Sequence, residues 1–120
     1  MKLWKSTVLV TSIWFVSGGI AQAEIAVATR WKPMSLDYNQ CIVNARNVLR
    51  VVKFEDQLNN DEGADSSGSG SAWATREAGE YKGVIRCLPN QEMVFFVVAG
   101  PSKDKVKEYA DKLRKGFTSY

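Results

Sequence analysis

Apolar residues recur along this chain in two rhythms. Tyr38, Cys41, Ile42, Ala45, Val48, Leu49 and Val52 stand three or four positions apart, with Asn39, Gln40, Asn44, Arg46, Asn47 and Arg50 between them. That spacing predicts one apolar face of an amphipathic helix. Ser35, two residues after the helix-breaking Pro33, is a suitable N-cap for it. No Gly or Pro punctuates the other end, so Val51–Glu55 is either the helix end or the start of a strand. Val106, Tyr109, Ala110, Leu113 and Phe117 form a second stripe and predict a helix over about Lys103–Lys115, with Gly116 at its C-terminal end.

The other rhythm has period two. "EIAVATRWK" (Glu24 to Lys32) reads as a short edge strand, and "AWATREAGEYKGVIRCLP" as a β-hairpin turning around Ala78, Gly79 and Glu80. On its second arm Tyr81, Gly83, Ile85 and Cys87 share one side, and Lys82, Val84, Arg86 and Leu88 the other. Pro89–Glu92 makes the next turn, and Met93–Ala99 is the most apolar strand of the chain. Between the first helix and the hairpin lies "NNDEGADSSGSGSA" (Asn59 to Ala72), whose Asn, Asp, Gly and Ser predict a flexible surface loop. Strands joined by short turns must be antiparallel, and both helices need a face to bury against. The expected fold is therefore α+β, a two-layer sandwich: an antiparallel sheet of three to five strands with two helices on one face.

The N-terminus follows a different plan. Lys2 and Lys5 precede the apolar run "TVLVTSIWFV", Gly18 and Gly19 break it, and "AQA" (Ala21 to Ala23) ends it. This is the pattern of a cleaved secretory signal over residues 1–23, and the run is too short for a permanent membrane span. The expected mature chain is one small domain over residues 24–120, periplasmic or secreted, with no membrane insertion after cleavage. Setting Lys2 and Lys5 aside leaves 14 basic residues against 13 acidic, a net charge of +1. A charge so small gives no electrostatic case for nucleic acid. Cys41 and Cys87 are the two cysteines, and in an oxidising compartment the default is one disulfide between them. That bond would place Cys41 on the buried stripe and Cys87 on the sheet surface beneath it.

Candidate chemistry is sparse. With no histidine and both thiols in a disulfide, a Ser or Cys nucleophile lacks its usual base. Glu77 and Glu80 are the closest carboxylate pair but sit at an exposed turn, where nothing shelters them enough to shift a pKa. The carboxylates Asp61, Glu62 and Asp65 lack the alternating spacing of a calcium loop. In "AGPSK" one glycine and a proline fall short of a phosphate cradle, so Ser102 is expected as the N-cap of the second helix. The acidic Asp104, Glu108 and Asp111 sit amid the cations of that helix, which speaks for a solvated face with Glu108–Lys112 and Asp111–Lys115 pairs rather than a lipid-binding one. No catalytic residue, metal ligand or cofactor is therefore assigned.

What remains is the strand Met93–Ala99, apolar on both sides when helices can cover only one. Its neighbours on the outward side are Val84 and Leu88, and the candidate interface residues are Val84, Leu88, Phe95, Phe96 and Val98. Either "IAVATRW" covers the second side, or a protein partner or second copy does. The expected function is a non-catalytic exported binding module acting by protein–protein contact, of the general kind represented by small inhibitor and immunity proteins. The alternative is a small-molecule or lipid carrier with a pocket between sheet and helices.

Overall fold

The computed structural model describes residues 24–61 and 63–120, with the backbone alone for 59–61. The expected signal segment, residues 1–23, lies outside the described residues. The order of elements is β1 (Ala26–Pro33), α1 (Tyr38–Val51), β2 (Asp56–Asp61), β3 (Gly70–Arg76), β4 (Tyr81–Leu88), β5 (Met93–Gly100) and α2 (Lys103–Gly116), with a single 3-10 turn (Pro89–Gln91) between β4 and β5. All neighbouring strands are antiparallel, in the order β1-β5-β4-β3-β2. The fold is α+β: a five-stranded antiparallel sheet with two helices on one face. Helix α2 lies over β1 and β5, and α1 over β3 and β4.

The caps explain where the helices begin and end. Asp37, not Ser35, is the N-cap of α1: its carboxylate accepts from Gln40 N at 2.8 Å, and Gln40 Oε1 accepts from Asp37 N at 3.2 Å. This reciprocal capping box satisfies two otherwise orphaned amides, which Ser35 is too far upstream to do. At the other end Phe54 N donates to Leu49 O and Lys53 N to Arg50 O, with Lys53 left-handed at φ 74°. That is a Schellman ending in which Lys53 holds the place usually given to glycine, closed by the contact of Phe54 with the helix. The segment Val51–Glu55 is thus helix end and turn, and β2 starts only at Asp56. For α2, Ser102 Oγ accepts from Lys105 N at 3.2 Å, so the Gly100–Lys103 corner is the cap expected.

The expected flexible loop Asn59–Ala72 shrinks on both sides. Asn59–Asp61 belong to β2 and Gly70–Ala72 to β3. Polar side chains do not forbid a strand when a partner supplies the ladder: Asn60 pairs with Trp73 and Asp61 with Ala72. Part of what lies between is also ordered by hydrogen bonds. Asp65 N donates to Ser69 O at 2.7 Å and Gly68 N to Asp65 O at 3.0 Å.

Between the layers the core is filled. Phe54, Phe96, Leu49, Ile85, Leu113, Val94 and Val98 are fully buried, as are Cys41 and Cys87. These two are joined by a disulfide with Cα atoms 6.1 Å apart, tying the buried face of α1 to β4. Val106, Tyr109, Ala110, Leu113 and Phe117 are all buried beneath α2, as their spacing predicts. No helix among the described residues is long and apolar enough to cross a membrane.

Candidate functional site

Pairing register fixes which side chains face away from the helices. Cys87, held inward by its disulfide, pairs directly with Val94. With period two, Val94, Phe96 and Val98 must then also point inward, and all three are fully buried. Phe96 and Val98 are accordingly core residues, and their place among the candidate interface residues is corrected. Phe95 is the outward aromatic, 36% exposed. Val84 and Leu88 do lie on its side, half-buried on the neighbouring strand.

The stretch Ile25–Trp31 does not cover this face. As β1 it pairs edge to edge with β5 and extends the sheet. Its outward residues Val27 and Trp31, 59% and 52% exposed, enlarge the apolar surface instead of hiding it. Three rows cross the strands. One holds Val27, Ala99, Lys82 and Thr75; the next Thr29, Val97, Val84 and Trp73; the third Trp31, Phe95, Arg86 and Ser71. Pro33, Met93 and Leu88 continue the apolar surface at one end. Trp31 and Trp73 were the residues that sequence reasoning missed. Period two fixes each one's side only once β1 is known to pair with β5 and β3 with β4.

The few charges on this face are partnered. Lys82 Nζ lies 4.2 Å from the centre of the Trp73 ring, a cation–π contact. Arg86 pairs with Asp65 at 3.0 Å and also donates to Ser71 Oγ at 3.3 Å. Asp65 accepts in addition from Ser67 Oγ, Ser67 N and Ser69 N. Those donors, the Ser67 hydroxyl foremost, hold its carboxyl well below the usual range.

Edge strand β1 is fastened to α2 from the helix side. Arg30 pairs with Asp111 at 2.6 Å, so Asp111 serves β1 instead of the expected partner Lys115. Glu108 and Lys112 do pair, at 2.9 Å. Lys32 Nζ donates to Arg114 O and Phe117 O, capping the end of α2, and Arg114 Nε donates to Trp31 O at 3.0 Å. Burial, and then the nearby Arg114, lower the pKa of Lys32.

Of the turn carboxylates Glu77 and Glu80, the first is held by side chains of other elements. Glu77 is engaged by the Tyr109 hydroxyl, by Lys105 Nζ at 3.3 Å and by Arg76 at 3.4 Å. Its pKa is lowered, chiefly by the Tyr109 hydrogen bond, whereas a general acid needs it raised. A surface groove of about 450 Å³ lies beside α2, with Val51, Val52 and Tyr109 in its lining and Lys53, Lys112 and Lys115 also bordering it. Among the described residues no three His, Cys, Asp or Glu side chains are placed to share a metal ion. No family model, no curated protein and no solved structure matches this chain.

Proposed function

We propose that this protein is an exported, non-catalytic binding module that works by protein–protein contact through the outer face of its sheet. The observation that carries the reading is the second side of a five-stranded sheet, which neither helix covers and where Trp31, Phe95 and Val27 stay open to solvent. Apolar patches of this kind mark contact surfaces, and aromatic residues dominate the cores of such contacts. The disulfide and the signal-like N-terminus support export, because such bonds persist in oxidising compartments.

Two substitutions at adjacent positions test the reading. Phe96→Ser should cost about 3–5 kcal/mol and unfold the domain or nearly so. Phe95→Ser should leave the melting temperature almost unchanged while abolishing capture of the binding partner in pull-down from the native envelope or medium. Equal capture by wild type and Phe95→Ser would remove the outer face from the function. A small-molecule carrier is the second reading, favoured by the groove beside α2, whose apolar floor and lysine rim suit an amphiphilic anion. A ligand that co-purifies with the protein and is lost in Lys112→Glu would support that reading over the first.

A further inference from the structure

The binding-module reading leaves the partner open, and the layout of the outer face points to one. Resting on that reading, we propose that two copies of this chain close face to face about a twofold axis. The axis runs across the strands along the Thr29–Val97–Val84–Trp73 row. The flanking rows differ in size: Trp31 and Phe95 lie on one side of this row, Val27 and Ala99 on the other. A twofold axis along the middle row exchanges the two flanks. Trp31 of one copy then lies over Val27 of the second, and Phe95 over Ala99, so these two bulky side chains each meet a smaller one, while Trp73, on the axis, meets its own copy. Lys82 faces the Arg86–Asp65 pair of the second copy. The charge of Arg86 that Lys82 meets is offset by the half-exposed Asp65 carboxylate paired with it at 3.0 Å.

Area and charge agree with this occupant. Four strands spaced about 4.8 Å apart and seven residues long give a footprint of roughly 450 Å². Corrugation by side chains carries the accessible area toward the roughly 600 Å² per partner at the lower end of stable interfaces. The chain beyond residue 23 carries a net charge of only +1, so two copies repel little. Sheets packed face to face sit about 10 Å apart with strands within about 30° of each other, a geometry that two such twisted faces meet naturally. The exposed edge of β1 is a poorer seat for a second copy, because Arg114 already occupies the Trp31 carbonyl.

Sedimentation equilibrium on protein purified from cells expressing the full chain tests the proposal, at concentrations from micromolar to several hundred micromolar. The expected result is a reversible dimer whose dissociation constant rises at least about tenfold in Phe95→Ser and in Val27→Glu, which sets a charge beneath Trp31 of the second copy, with melting of the monomer retained. In Thr29→Cys, whose new thiol faces its own copy across the axis, a short bismaleimide should link two chains. Dimers that ignore both substitutions, or a Thr29→Cys protein that is dimeric but never linked, would overturn this arrangement. A protein that stays monomeric throughout would overturn the second copy as occupant. Loss of capture of a different protein in Phe95→Ser would then leave the binding-module reading standing, and unchanged capture would bring both down.

Discussion

Tyr109 shows how one side chain is held by several unlike forces. Its ring packs T-shaped with that of Tyr81 at 5.4 Å between centroids, and Arg76 stacks 4.1 Å from its centre. Arg76 is anchored in turn by a 2.6 Å bond from its guanidinium to Val52 O. The hydroxyl donates to Glu77, a non-glycine residue at φ 57°, where an L side chain is ordinarily disfavoured. The contacts from Tyr109, Lys105 and Arg76 over-determine that backbone, which is how a left-handed residue persists at a turn. Burial, then the bond to Glu77, pushes the Tyr109 pKa up to about 12 from an ordinary 10. The folded chain therefore holds this proton more tightly than the unfolded chain does. Its contribution to stability is fully present below pH 10 and is lost as the pH rises through about 12. Urea unfolding from pH 8 to 12 should show wild type losing more stability than Tyr109→Phe across that window. Parallel curves would mean that the hydroxyl is not so buried in solution. At acid pH the sign reverses for Glu77, whose lowered pKa gives stability above the ordinary carboxylate range that is lost as the pH falls through its folded value.

At the scale of elements, strand β5 ends in a close approach that no other residue type fits. A Cβ on Gly100 would sit 2.2 Å from Cδ2 of Tyr81, whose ring covers the end of the strand. Gly100→Ala should displace that ring, and with it the Tyr81–Tyr109 contact, costing about 1–3 kcal/mol or more by overpacking. Thermal denaturation followed by near-ultraviolet circular dichroism reads both effects, and an unchanged melting temperature would show that Tyr81 lies elsewhere. The elements themselves were largely legible in the sequence, because both helical stripes and the Tyr81–Leu88 alternation repeat cleanly enough to name the buried side. What stayed hidden depended on partners distant in the chain. Phe95 and Phe96 are chemically identical neighbours, and only the pairing of Cys87 with Val94 decides which is inside. Strand β2 carries hardly any apolar alternation, so its place in the sheet comes from backbone pairing with β3. The left-handed Lys53 ends α1 without the glycine that a sequence pattern looks for. The candidate site was half visible for the same reason: Val84 and Leu88 follow from Cys87, whereas Trp31 joins them only through the long-range pairing of β1 with β5.

Across the whole molecule the helices divide the labour, α2 fastening β1 and β5 while α1 sits on β3 and β4. The α2 half is secured by polar contacts to the edge strand, among them Arg30–Asp111 and the Lys32 cap. The α1 half has the disulfide, which joins positions 46 residues apart in the chain. Closing a loop of that length removes entropy from the unfolded chain worth about 4 kcal/mol in the chain-entropy model. In a domain this small, whose core supplies only a slim margin, that is a large share of the total. Paired replacement Cys41→Ser and Cys87→Ser should therefore lower unfolding stability by about 2–5 kcal/mol, measured by urea titration against wild type. Protection from hydrogen exchange should fall further in α1 than in α2, since α1 loses its covalent tie to β4 while the contacts between α2 and β1 remain. Uniform loss of protection across both helices would indicate that the two halves unfold as one cooperative unit. An unchanged urea midpoint would mean that packing of Leu49, Ile85 and Phe54 alone holds the helix to the sheet, and that the disulfide adds nothing to stability.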